Sequence, residues 1–392
     1  MRLAVVTSIP TPYRDPFWNE VAAHPDVDLL DVYYCAAGKP DRPWEVNWKR
    51  EFNSHLLPSY NLLKWAGADR SAYWVKGLQS ELKHGGHDAV IIGGYNHPSM
   101  LQTIRSCIKR GQPYFLMCET YKRHATWKSF AKDRLMTYFC RHAAGAMPTG
   151  NLASEYLRSY GIRDEQLILV PNVPDVRRLR SLTESLRQHG CEIRDQLGLP
   201  QASPVITFVG RMIPKKRPEL VIQAFAACAA ENAWLVMLGD GPLLPTCRML
   251  VKDLGVADRA LLPGFCQPEE VPRYLSVSSA FVLPSSETWG VAAIEAVAMG
   301  VPVILSNQVG CHTDLIQHIN TGMVVPIDSV NALADAATYY LNQSPQKILQ
   351  RPAAQTEELF YAKISDRLVD GIQKLIQADG HVTGMACQRV KL

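Results

Sequence analysis

Short apolar runs recur along the whole chain, and a helical pattern follows most of them. In the first half they are Leu3–Val6, Leu29–Tyr34, Ala89–Ile92, Tyr114–Met117, Gly145–Met147 and Leu167–Val170. In the second they are Val205–Val209, Trp234–Leu238, Ala260–Leu262, Ala280–Leu283, Val303–Leu305 and Met323–Val325. Their apolarity is continuous, not alternating, as in parallel strands covered by helices on both faces. Two such series predict two doubly wound domains. Ligands of these sheets bind beyond the strand C-termini at the switch point, so two facing sheets place the site in the cleft between them. The boundary is signalled by Val170-Pro171-Asn172-Val173-Pro174 and an Arg-rich polar segment that runs to Pro204, with a weak helix at about 178–197. The expected division is 1–178, 179–355 and a closing segment 356–392. In that segment a helix over 356–377 packs back toward the first domain, and the tail frays from Ala378.

Length and composition fit this picture. A chain of 392 residues exceeds one ordinary α/β core, and 47% hydrophobic with 20% charged residues is globular composition. Glu, Pro or Gly breaks every apolar stretch before the ~20 residues of a membrane span. Met1 to Pro12 reads as a strand and its loop, not as a signal peptide. Ten cysteines are scattered without a C-x-x-C pair, several inside apolar runs, which predicts reduced thiols in a cytoplasmic protein. Residues 1–180 hold 24 Lys and Arg against 17 Asp and Glu, whereas the remainder holds 17 against 20. The basic excess gathers at 122–142, where Lys122, Arg123, Lys128, Lys132, Arg134 and Arg141 alternate with Trp127, Phe130, Leu135 and Phe139. Two readings stay open for it: peripheral contact with an anionic membrane surface, or a domain helix with a basic outer face. Nucleic acid is not an expected partner, because net charge is only +4 and no binding module is recognisable.

The densest chemistry lies in Leu283 to His312. An apolar run stops at Pro284, a polar loop follows, and Gly290 opens an apolar helix that ends at Gly300. The first N–H groups of such a helix have no internal partner and bind anions. Glu287 precedes the helix; Glu295 falls on its second turn, four residues after Val291 and on the same face. An anion site with two carboxylates beside it suggests a nucleotide sugar. The bland alternative is that both acids merely stabilise a helix start.

Glu287-x7-Glu295, preceded by Pro284-Ser285 and followed by Ala296, Gly300 and Pro302, resembles the signature of family 4 retaining glycosyltransferases, the glycosyl transferases group 1. Gly210-Arg211 with Lys216 five residues on resembles that family's G-R-x-x-x-x-K motif. Leu238-Gly239-Asp240-Gly241-Pro242 and Leu262-Pro263-Gly264-Phe265 are similar to two further nucleotide-side loops, and the motifs cover about residues 205–345 in the family's order. The resemblance implies an α/β GT-B fold: two Rossmann-like doubly wound domains facing across a cleft, acceptor-binding at 1–178 and nucleotide-sugar-binding at 179–355. It implies that Arg211, Lys216 and the backbone of Gly290 and Val291 hold a diphosphate, while Glu295 accepts from ribose hydroxyls. Glu287 would contact the donor sugar, Gly239 and Gly241 would lie beside the nucleotide, and Phe265 and Cys266 would lie near the base. A solvated basic turn at Lys215–Arg217 and simple turn glycines at 239 and 241 are the alternatives. No metal or other cofactor is expected. Asp26-x-Asp28 imitates a metal motif of another fold but precedes the second strand and reads as a turn.

The first half resembles the family only in layout. The loop Ser8-Ile9-Pro10-Thr11-Pro12-Tyr13-Arg14 lacks the family's glycines, and Asp15 with Pro16 reads as a helix cap. Thr11, Tyr13 and Arg14 are either acceptor contacts or a stiff turn. Where the family often has a histidine near the donor sugar, this chain has Cys118-Glu119-Thr120. Glu119 is the expected catalytic substitute, with His124 or His97 as rivals and a surface pair to Lys122 or Arg123 as the bland reading. The expectation is a retaining, metal-independent hexosyltransferase. It would use a UDP- or GDP-sugar donor and a sugar or lipid-linked acceptor, in polysaccharide, lipopolysaccharide or glycolipid assembly at the cytoplasmic face of a membrane. A nucleotide-sugar epimerase and a non-catalytic binding subunit are the rivals.

Overall fold

The computed structural model describes residues 1–38, 49–64, 71–121, 130–228, 230–317, 320–343 and 353–388. The chain forms two units, Met1–Asn172 together with Tyr361–Leu392, and Val173–Phe360.

The first unit contains β1 (Arg2–Thr7), β2 (Leu29–Tyr34), β3 (Asn53–Leu56), β4 (Ser59–Asn61), β5 (Tyr73–Val75), β6 (Ala89–Ile92), β7 (Tyr114–Cys118) and β8 (Gly145–Pro148). Its sheet runs in the order β3-β2-β1-β6-β7-β8, every pair parallel, and β4 and β5 form a separate antiparallel ribbon. Leu3, Ala4, Val5 and Val6 of β1 are wholly buried, as continuous apolarity requires of a central strand. Helices cover both faces. Asp15–Ala22 buries Phe17, Trp18 and Val21, and Pro98–Arg110 begins at a proline and stops at Gly111 in the left-handed region. The helix Tyr361–Gln388 lies against Asp15–Ala22 and continues past the Ala378 at which fraying is expected.

The expected strand Leu167–Val170 is corrected to a flanking segment. Ile168 and Val170 donate to the carbonyls of Ala146 and Pro148, both at 2.9 Å, but only one bridge forms. Pro148 has no N–H to give back, so no ladder develops. The sequence pattern missed β3, β4 and β5, whose residues are polar or alternating and lie at an edge or outside the main sheet. Of the basic stretch, 122–129, including His124, lies outside the described residues. Phe130–His142 is a helix with Phe139 buried and Arg134, Leu135 and Arg141 exposed. Asp28 binds the amino terminus of Met1 at 2.8 Å, which accounts for the turn. No helix among the described residues is long and apolar enough to cross a membrane.

The second unit opens with two helices, Val176–Gln188 and Gly190–Leu197, where the sequence predicts one. Asp175 caps the first by accepting from Arg178 N–H at 2.9 Å, and the break falls at His189-Gly190. Then come β9 (Val205–Val209), β10 (Trp234–Leu238), β11 (Ala260–Gly264), β12 (Ala280–Leu283), β13 (Val303–Ser306) and β14 (Gly322–Val325). They form one parallel sheet in the order β11-β10-β9-β12-β13-β14. Both main sheets therefore share the doubly wound order 3-2-1-4-5-6, whose direction reverses between β1 and β6 and between β9 and β12.

Candidate active site

The loops after β9 and β12 leave the second sheet side by side at its switch point. After β9 the chain stays close to the loop that follows β10. Gly210 N–H bonds Leu238 O at 2.9 Å, and Met212 N–H bonds Asp240 O at 2.8 Å. That approach leaves no room for side chains. A Cβ at Gly239 would stand 2.0 Å from Gly210 O, and one at Gly241 2.6 Å from Met212 O. Both glycines also hold positive φ, 134° and 150°. Their identity is thus fixed by packing between the two loops. Gly239 N–H in turn bonds Gly264 O at 2.8 Å, which brings the end of β11 to the same edge.

The β12 loop is anchored on both sides. Ser286 N–H donates to Lys215 O at 3.1 Å, and Glu287 N–H to Gln308 O at 3.0 Å. Gly290, at φ 124°, redirects the chain into the helix Val291–Ala298; a Cβ there would meet Val309 Cγ1 at 2.9 Å. The first helical turn bond is Ala293 N–H to Gly290 O, and the N–H groups of Gly290 and Val291 have no partner among the described residues. N–H groups left open in this way at a helix start are able to bind an anion.

Lys216 and Glu287 meet directly. The lysine Nζ lies 2.7 Å from both carboxylate oxygens, and Ser285 Oγ donates to Glu287 Oε1 at 2.5 Å. The side chains are only 16% and 17% exposed. Burial pushes the Glu287 carboxyl upward, but the charge and hydrogen bonds of Lys216, the Ser285 hydroxyl and the charge of Lys215 outweigh it and hold the group below its ordinary value. Glu295 is the opposite case. Its carboxylate has no hydrogen-bond or ion-pair partner among the described residues, and burial alone pushes its pKa up to about 7. The residue keeps some solvent access, so a ligand can reach it.

Ten of the residues singled out from sequence therefore gather at one sheet edge: Arg211, Lys216, Gly239, Gly241, Phe265, Cys266, Glu287, Gly290, Val291 and Glu295. Arg211 directly follows Gly210 and is partly buried. Phe265 is 44% exposed just past β11. Cys266 Sγ is 3.4 Å from Glu270 Oε2, and burial together with that carboxylate pushes the thiol up to about 12. Ser285 was missed in the sequence, although it stands two residues before Glu287 within the quoted motif. Among the described residues no group of three or more His, Cys, Asp or Glu is arranged to hold a metal.

Glu119 belongs to the first unit, at the carboxyl end of β7. Its expected surface partners Lys122 and Arg123 lie outside the described residues. Among the described residues it accepts from the Asn172 amide and faces Arg14 at 3.7 Å. His97 is buried and its Nε2 is 2.9 Å from Ser8 Oγ. The reading of Asp15 as a helix cap is corrected. Arg14 occupies the cap position, and the turn is closed by Thr11, whose carbonyl accepts from the N–H groups of Arg14 and Asp15 at 3.2 Å. The wholly buried Asp15 carboxylate instead accepts from Tyr34 Oη and Arg50 Nε, each at 2.8 Å.

Comparison with known proteins agrees with this geometry. Residues 191–358 match the family described as glycosyl transferases group 1. Over 148 residues, 35% of this chain, the sequence is 33% identical to a GDP-mannose-dependent α-(1-6)-phosphatidylinositol monomannoside mannosyltransferase of Mycobacterium tuberculosis. Over 152 residues, 38% of this chain, it is 32% identical to an N-acetyl-α-D-glucosaminyl L-malate synthase of Bacillus anthracis. These alignments span 38% and 39% of the relatives' own lengths. Among solved structures, Anabaena HepE in complex with UDP-glucose superposes with a TM-score of 0.68 at 15% identity, covering 95% of this chain and 100% of that one. The fold is therefore GT-B.

Proposed function

We propose that this chain, whose residues 191–358 belong to the glycosyl transferases group 1, is a glycosyltransferase that moves a sugar from a nucleoside-diphosphate donor to an acceptor hydroxyl. One observation carries the reading. At the switch point of the second sheet, a lysine, an uncapped helix start and an unpartnered carboxylate lie together. A sugar transfer releases a diphosphate, and fixed cations and N–H groups aimed at it stabilise the charge as the bond breaks. Lys216, Arg211 and the N–H groups of Gly290 and Val291 supply them. Glu295, without a partner among the described residues, accepts from two ribose hydroxyls. Glu287, kept ionised by Lys216, favours the positive charge that develops at the anomeric carbon. No metal is needed, since protein cations do that work, and the departing diphosphate can take the acceptor's proton with retention of configuration.

Two similarities support a UDP or GDP donor, namely the relative described as GDP-mannose-dependent and the neighbour solved with UDP-glucose. The first unit holds the acceptor, with Glu119 the group placed toward it. A role in polysaccharide, lipopolysaccharide or glycolipid assembly at the cytoplasmic face of a membrane fits the basic stretch at 122–142. The test is release of UDP or GDP from a panel of nucleotide sugars, with and without sugar and glycolipid acceptors. Acceptor-dependent release with a new glycoside supports the proposal. Interconversion without acceptor points to an epimerase, and binding without turnover to a non-catalytic subunit.

A further inference from the structure

The carboxyl edge of the first sheet holds a cation whose hydrogen-bonding capacity is largely unused. Arg14 ends the loop after β1, and its side chain is 11% exposed. Burial pulls the guanidinium below its ordinary value, and the nearby Glu119 only partly opposes this. An arginine offers five N–H donors in a planar fork. Among the described residues the fork has one side-chain partner, Glu119, whose Oε1 is 3.7 Å from Arg14 Nη2, longer than an ordinary hydrogen bond. The rest of the fork keeps contact with solvent, which a ligand can replace. Glu119 does not complete it. Its Oε1 already accepts from Asn172, its Oε2 has no partner among the described residues, and its side chain is 47% exposed.

A second donor stands on the same loop. Ser8 Oγ is 2.9 Å from His97 Nε2, while the N–H of Tyr73 reaches His97 Nδ1 at 3.4 Å. Either atom of the Ser8–His97 pair can be the donor, and a hydroxyl so placed can also bond a ligand. The loops after β1, β6 and β7 carry these groups, and β1 beside β6 is the switch point of this sheet, where ligands bind.

The geometry points to an acceptor that carries an oxyanion, a phosphate monoester or a carboxylate, beside a hydroxyl. The Arg14 fork takes the oxyanion, and Glu119 Oε2 accepts from the hydroxyl. This rests on the reading of the first unit as the acceptor half and names the chemistry of what it holds.

The probes are glycerol 3-phosphate, malate and, as the neutral control, glycerol, titrated calorimetrically into the full chain and its variants Arg14→Met and Lys216→Ala. At least one anion should bind wild type and Lys216→Ala alike, bind Arg14→Met about tenfold more weakly or worse, and bind far better than glycerol. Which anion binds tells phosphate from carboxylate. Arg14→Lys, which keeps the charge but loses the fork, should fall between and serves if the methionine variant does not fold. No anion binding by wild type, undiminished binding by Arg14→Met, or binding abolished only by Lys216→Ala overturns the assignment. UDP and GDP titrated into the same preparations keep the two proposals apart. If they bind nowhere while the anion follows Arg14, the nucleotide-sugar reading fails and the oxyanion site stands.

Discussion

The proposed role of Glu295 predicts that donor binding depends on pH in a window where few carboxylates titrate. Burial pushes its pKa up to about 7 from the ordinary 4.5, so its ionised form costs the folded protein roughly 3 kcal/mol. Because the folded value is raised, that cost is present in full above pH 7 and is relieved as pH falls below it. Binding runs the other way. A carboxyl must be ionised to accept from two ribose hydroxyls, so apparent affinity scales with the ionised fraction. That fraction is about 90% at pH 8, half at pH 7 and about 10% at pH 6. UDP or GDP affinity, measured by calorimetry at constant ionic strength, should therefore fall about ninefold from pH 8 to pH 6 through this group alone. The nucleotide's own phosphate titrates nearby, so the comparison is with Glu295→Gln, which keeps the phosphate's contribution and loses the carboxyl's. The variant should bind more weakly at pH 8 and show a shallower profile. Superimposable profiles would refute both the raised pKa and the role of Glu295 as acceptor.

Three further outcomes follow from the same site. Lys216→Ala should weaken nucleoside-diphosphate binding by about 1–3 kcal/mol, the range for a charged hydrogen bond, and unchanged affinity in calorimetry would remove the lysine from the cradle. Glu287→Ala should reduce turnover far more than nucleotide affinity; near-native turnover in the release assay would take Glu287 out of the mechanism. Gly239→Ala should destabilise the second unit by about 2 kcal/mol or more, because its Cβ would lie 2.0 Å from Gly210 O at a φ of 134°. A melting temperature within a degree of wild type would contradict the close loop contact.

Much of the fold was legible because buried parallel strands write themselves as unbroken apolar runs. All six strands of the second sheet were marked this way, and Ala280–Leu283 is an example in which every side chain is buried. Asn53–Leu56 was not legible, since an edge strand of partly exposed polar residues carries no such mark. The candidate site was legible where motif spacing coincides with a loop at a strand end, as at Lys216 and Glu287. What spacing could not convey is pairing at a distance. Asp15 reads locally as a helix cap, yet its partners are Tyr34 and Arg50, 19 and 35 residues away. Glu119 likewise finds Asn172 53 residues on.

The polypeptide leaves the first unit after Asn172 and re-enters it only at Tyr361. That unit is therefore built from two separated stretches of the chain. The returning helix buries Ile364, Leu368, Val369 and Ile372 completely, and Gly371 comes so close to Ile168 that a Cβ there would stand 2.7 Å from its Cδ1. Burial of four such side chains is worth ~6–12 kcal/mol, comparable to the whole margin by which an ordinary domain stays folded. A fragment ending at Asn172 would lack that contribution, so an isolated first unit has to be spliced to the final helix, not simply truncated.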